Sequence, residues 1–216
     1  MYKFTRGNII IISISIIFLF CYFYYKYSTS SPHRLVYDPR RTRLPLCYSG
    51  EGLSEWNERE TAYKWTFSDA CVLEFGGGAG SVSTVIQKIL KNQKNHVVIQ
   101  PPEREMFGGI TQLKKNRDAC NSKFQIIDHV LKKGEEDTVM GMVSKPFDLI
   151  VADCENCLYK EYKKNPKLFA NIKQIQVERD DYDKSYDGLR KELGMKIVHT
   201  AECYKRESLT VEVWEK

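Results

Sequence analysis

The chain has 216 residues, with 33 Lys plus Arg against 28 Asp plus Glu and a formal net charge of +5. That length accommodates one α/β domain of about 150–200 residues with a short extra segment, and excludes two full catalytic domains. The positive charge is confined to the start, where Lys3, Arg6, Lys26, Arg34, Arg40, Arg41 and Arg43 are opposed only by Asp38; residues 44–216 carry a net −1. A near-neutral domain lacks the basic footprint that phosphate neutralisation requires, so no nucleic-acid partner is expected.

Residues 1–27 read as a membrane anchor. Ile9 to Tyr25 is an uncharged run of 17 residues, which as a helix spans about 26 Å, enough for a thin bilayer. Tyr22, Tyr24, Tyr25 and Tyr27 cluster at one end, where amphipathic rings favour the interface, and Lys26 closes the run. The competing reading is a signal peptide cleaved near Ser28 to Ser31. Residues 28–45 are polar, basic and Pro-containing and read as a stalk, which leaves 46–216 as the folded domain.

A single-pass endomembrane protein of the ER or Golgi is expected. The side of the membrane is contested: Lys and Arg counts put the domain in the cytosol, whereas six cysteines after the anchor (Cys47, Cys71, Cys120, Cys154, Cys157 and Cys203) permit lumenal disulfides.

Leu53 to Trp65 places apolar groups at helical spacing behind Ser54, a candidate cap, and predicts a helix that covers the first strand. Its aromatic residues read as core packing, with an acceptor groove as the alternative. Apolar runs then alternate with helical stretches. Strands are predicted at Cys71 to Phe75, His96 to Gln100, Phe124 to Asp128, Phe147 to Ala152 and Ile172 to Val177, with helices at Val82 to Leu90, Ile110 to Lys115 and Leu158 to Tyr162. Met195 to His199 and Leu209 to Trp214 have no strong helix between them and read as a closing antiparallel pair. The expected fold is α/β: a Rossmann-like, doubly wound, mostly parallel seven-stranded sheet.

The segment VLEFGGGAGS, Val72 to Ser81, sets an acid (Glu74) at a strand end before Gly76, Gly77, Gly78 and Gly80 and a helix beginning near Ser81. Glycines allow a sharp turn and a close ligand approach, and the helix N-terminus offers free N–H groups. The spacing G-x-G-x-G differs from the nicotinamide fingerprint, which would need glycine at Ser81. It is similar to the first motif of S-adenosylmethionine (SAM) methyltransferases, in which the acid contacts the methionine end of the cofactor.

Downstream come VVIQPP (Val97 to Pro102), Leu113 with Asn116, IIDHV (Ile126 to Val130), FDLIVADCENC (Phe147 to Cys157) and IQVERDD (Ile175 to Asp181). From Val72 to Asp181 this order resembles the FkbM-type methyltransferases, which are Rossmann-like and methylate hydroxyls of sugars or polyketides. The resemblance implies SAM as cofactor, held by Glu74, Gly76, Gly77, Gly78, Gly80, Ser81, Gln100, Pro101, Asp128, His129 and Asp153. Two motifs depart from the pattern. Gln100 stands where the family has an acid, and in the fourth motif Asn156 replaces glycine and Leu158 the last acid.

Methyl transfer to a hydroxyl needs in-line alignment and removal of the alcohol proton. Asp153, Glu155 and Glu178 are the candidate catalytic carboxylates at the strand ends, with Asp153 and Glu155 as possible Mg²⁺ ligands. Helix caps or ion pairs are the structural alternative for them. His129 is the candidate base without metal, with a solvated loop histidine as its alternative, and His199 reads as a core strand residue. Cys154 and Cys157 form a C-x-x-C without a second pair for zinc, leaving a lumenal disulfide or core packing.

The expected function is an anchored O-methyltransferase acting on a glycan or other hydroxylated small-molecule acceptor. Its rivals are an anchored glycosyltransferase using the Asp153-Cys154-Glu155 pair, and a catalytically silent relative.

Overall fold

The structure is a computed structural model that describes residues 55–102, 109–155, 157–180, 185–202 and 209–216. The chain divides into two units, Met1–Arg43 and Leu44–Lys216, and every described residue belongs to the second. The apolar run at 9–25, the stalk at 28–45 and Ser54 lie outside the described residues. Among those described, no helix is long and apolar enough to cross a membrane.

In chain order the second unit runs α1 (Trp56–Trp65), β1 (Val72–Phe75), α2 (Ser81–Ile89), β2 (His96–Ile99), α3 (Gly109–Ala119), β3 (Gln125–Ile127), α4 (Glu136–Met140), β4 (Leu149–Ala152), α5 (Cys157–Lys164), a 3₁₀ turn (Pro166–Phe169), β5 (Gln174–Asp180), α6 (Ser185–Glu192), β6 (Lys196–Glu202) and β7 (Leu209–Glu215). One seven-stranded sheet has the order β3-β2-β1-β4-β5-β7-β6. The first five strands are parallel, and β7 inserts antiparallel between β5 and β6. Strands β1, β2 and β4 are buried on both faces, which is why they read as mainly apolar runs, broken only by Glu74 and His96.

Side chains alternate between two cores. Leu73, Phe75, Ile99, Ile150, Ala152 and Val177 face the larger one, closed by Val139 of α4, Leu158 of α5, and Tyr186 and Leu189 of α6. On the opposite face Val72, Leu149 and Val151 pack with Ala62 of α1 and Val85 and Ile86 of α2, and Val98 packs with Leu113 of α3. Helices on both faces make the sheet doubly wound, as expected.

Three local expectations need correction. Strand β5 continues past Val177 to Asp180, because β7 pairs with it along that whole length. Helix α3 runs to Ala119, beyond Lys115. Helices α4 and α6 were not expected: α4 has only five residues, and α6 is short and carries Gly188 in its interior.

Candidate functional site

The order of the strands reverses between β1 and β4, and at that switch point an open α/β sheet leaves a crevice beyond the strand ends. The glycine loop fills it. Gly76 has φ +87°, and a Cβ built on it would lie 1.7 Å from the carbonyl oxygen of Asp153, so β1 and β4 approach there as only glycine allows. The Asp153 N–H donates to Phe75 O at 2.9 Å, and the Gly76 N–H to Ile99 O at 3.0 Å. A side chain on Gly77 would meet Val98 at 2.5 Å and Leu113 at 3.1 Å. Gly80, at φ +87°, begins α2 without a side-chain cap, leaving the helix N-terminus to other partners.

Helix α3 holds the loop from behind. Asn116 is buried, and its Nδ2 donates to Ala79 O at 2.8 Å, while Leu113 packs beneath Gly77 and Gly80. This accounts for the three-position interval between the two residues, which sets both on one helical face.

Gln100 has a different place from the one expected. It is buried, and its Oε1 accepts the Gly78 N–H at 2.9 Å while its Nε2 lies 3.5 Å from Pro101 O. An uncharged amide at this position braces the glycine loop instead of presenting a carboxylate to a ribose. Glu74 is likewise engaged inside the protein, through Ser83 Oγ at 2.8 Å and His96 Nε2 at 2.7 Å. It underpins the start of α2 while still lining the cavity.

That cavity lies beside the loop and is lined by carboxyl groups on apolar walls: Glu55, Glu58, Glu74, Asp153 and Glu178, with Gly76, Gly77, Val82, Val151, Ala152, Gln176, Val177 and Val211. Asp153 and Glu178 thus converge as their strand ends suggested. Glu55 and Glu58 were not foreseen; they belong to the first turn of α1, and no motif flags them. The only available signal is that two acids three positions apart share a helix face, on a helix expected to cover the first strand. Glu55 is itself the N-cap position of α1, and it accepts a hydrogen bond from the Ser81 hydroxyl.

Burial pushes the Glu55 carboxyl up to about 7, helped by the Asp153 and Glu74 carboxylates and opposed by Arg59. Burial also raises Glu58 to about 7, reinforced by Asp153 and then Glu55, and opposed by hydrogen bonds to its backbone and to Glu178.

Several expected residues lie elsewhere. Asp128 and His129 are 58% and 51% exposed; Asp128 lies 3.5 Å from Lys114, and His129 Nε2 is 3.3 Å from Glu135. Both stand beyond the end of β3, two strands from the switch point, and neither lines the cavity. Glu155 is exposed with φ +47° and does not line the cavity, so it and Asp153 do not converge. Among the described residues no three His, Cys, Asp or Glu side chains form a metal-binding group, and the expected Asp153/Glu155 metal pair is not assembled. Asn156 lies outside the described residues, and Leu158 is fully buried in the core.

Cys154 and Cys157 form a disulfide across the β4–α5 turn, and Cys120 is also disulfide-bonded. Trp56 packs in the core beside α2, and Trp65 lies 5.4 Å from the His199 ring; neither lines the cavity.

No family model and no curated protein matches the sequence. Solved structures do. The O-methyltransferase of Bacillus cereus, in complex with S-adenosylhomocysteine (SAH), is 12% identical with TM-score 0.52, over 88% of this chain and 96% of that one. TrmK of M. capricolum, also with SAH, is 9% identical with TM-score 0.56, over 73% and 67% of the two chains. Fibrillarin of Aeropyrum pernix, with SAM, is 11% identical with TM-score 0.52, over 74% and 76%. The chain therefore has the Rossmann-like fold of the SAM-dependent methyltransferases.

Proposed function

We propose that this chain is a membrane-anchored, SAM-dependent methyltransferase of the FkbM type, transferring a methyl group to a hydroxyl of a sugar, glycan or other hydroxylated acceptor. The observation that carries the reading is the glycine loop at the switch point, adjoining a cavity walled by carboxyl groups. The loop fits SAM: it adjoins the cavity through Gly76 and Gly77, the N-terminus of α2 has no side-chain cap, and the carboxylates suit a ligand bearing a sulfonium and an ammonium. The neighbours that hold SAM or SAH, one of them an O-methyltransferase, support the same cofactor and chemistry.

Bound SAM supplies a methyl group activated on a positively charged sulfur. The protein's part is alignment and proton removal. With SAM bound, the cavity would hold the acceptor hydroxyl in line with the methyl group, and one of its carboxylates would take the hydroxyl proton as the methyl is transferred and SAH is released. Glu58 is placed for this role at the cavity wall beside Glu178 and Asp153, and a carboxyl raised to about 7 is matched to proton transfer near neutral pH. The disulfides at Cys120 and Cys154/Cys157 favour an oxidising compartment, which supports a lumenal domain in the reading that takes residues 1–27 as an anchor.

The test is methyl transfer from methyl-labelled SAM to a panel of hydroxylated glycans by the full-length protein. Glu58→Gln should lower kcat about 10²-fold or more while SAM affinity changes little. An unchanged kcat would remove Glu58 from the chemistry.

A further inference from the structure

Behind the glycine loop runs a chain of buried polar side chains whose proton positions the geometry fixes. It begins at Gln87 of α2, which is 1% exposed. The backbone N–H of Lys123 points at Gln87 Oε1 from 2.7 Å, so that atom is the amide oxygen. The other terminal atom is then the nitrogen, a donor only, and it lies 2.9 Å from Gln93 O and 3.1 Å from His96 Nδ1. His96 Nδ1 must accept, which leaves the ring proton on Nε2. Nε2 donates to Glu74 Oε2 at 2.7 Å, and Ser83 Oγ lies 2.8 Å from the other carboxylate oxygen. His96 and Glu74 are 0% and 2% exposed, and Phe124 packs on the imidazole with ring centroids 5.4 Å apart.

The imidazole is therefore oriented from behind by one amide and from the side by one aromatic ring, and its single N–H is aimed at the acid of the glycine motif. Glu74 also lines the cavity. A carboxylate held there acts at short range, through a poorly solvated wall, on whatever charge the cavity receives. Resting on the methyltransferase reading above, we infer that His96 is a positioning residue of the cofactor site: through Nε2 it holds the Glu74 carboxylate against the cavity wall, where the negative charge favours a sulfonium ligand over its neutral thioether product. SAM and SAH share every group except the transferred methyl and the sulfonium charge it creates, so the pair isolates that term.

Two measurements on the full-length protein test this. Selective ¹⁵N labelling of histidine should give one ring, lost in His96→Phe, with its proton on Nε2 and none on Nδ1. The opposite tautomer, or a doubly protonated ring at neutral pH, overturns the inference. In binding experiments His96→Phe should weaken SAM about tenfold or more, the loss expected when a hydrogen bond to a charged group is removed, and should weaken SAH distinctly less. His96→Gln, whose amide can still donate to Glu74, should recover part of the loss. Ser83→Ala keeps the fold free of ring-packing damage and should shift the SAM-to-SAH preference in the same direction. Equal losses for both ligands, or none in either variant, overturn the inference without touching the methyltransferase reading; that reading fails instead if the unaltered protein binds neither ligand.

Discussion

At the residue scale the site depends on one close approach. A methyl group at Gly76 would overlap the Asp153 carbonyl, and its backbone at φ +87° disfavours any side chain. Gly76→Ala should therefore destabilise the domain by about 3 kcal/mol or more, by overpacking and backbone strain together, measured as a fall in denaturation midpoint. A midpoint within error of the unaltered protein would mean that β1 and β4 do not meet as described. Gly76 and Gly80 were legible from their spacing, whereas the family resemblance marked Leu113 and Asn116 without their roles against the loop. Glu74 and Gln100 were found as residues but not as roles: their side chains turn toward Ser83, His96 and the Gly78 N–H, partners 9 to 22 positions away that no local pattern announces. His129 lies off the cavity for the converse reason, since a strand end in the sequence does not say which strand ends share a cavity.

At the scale of elements, α1 matters most, because its first turn brings Glu55 and Glu58 over the ends of β1, β4 and β5. Both carboxyls rise from 4.5 to about 7. Between those values the folded chain keeps protons that the unfolded chain has released, so stability should fall as pH rises from 4.5 through about 7 and level off above. Replacing both with Gln should flatten that part of the profile and make the ligand-free protein more stable at pH 8. A profile that is unchanged in the double variant would show that the two groups do not titrate as described. If Glu58 is the base, kcat should rise over the same interval, as the carboxylate form appears. The apolar runs gave away the parallel strands, and the antiparallel closing pair followed from the missing helix between them. Helix α4 stayed hidden because five residues cannot impose a period, and α6 because Gly188 interrupts a short segment.

At the scale of the whole molecule, the question is which compartment receives the domain. The flanking Lys and Arg favour the cytosol by the positive-inside rule, whereas three of the four described cysteines are disulfide-bonded and Cys71 is a buried free thiol. Burial pushes the Cys71 thiol up to about 12, with Asp148 adding to the effect, which makes it a poor nucleophile. Alkylation of protein taken from cells without reductant should spare Cys120, Cys154 and Cys157, with labelling only after reduction. Ready labelling before reduction would put the domain on the cytosolic side. The chain's central property is tested most directly by calorimetric titration of the purified full-length protein with SAM, SAH and a nucleotide sugar: saturable binding of the two sulfur ligands with no response to the nucleotide sugar is predicted, and tight binding of the nucleotide sugar with no response to SAM or SAH would contradict it.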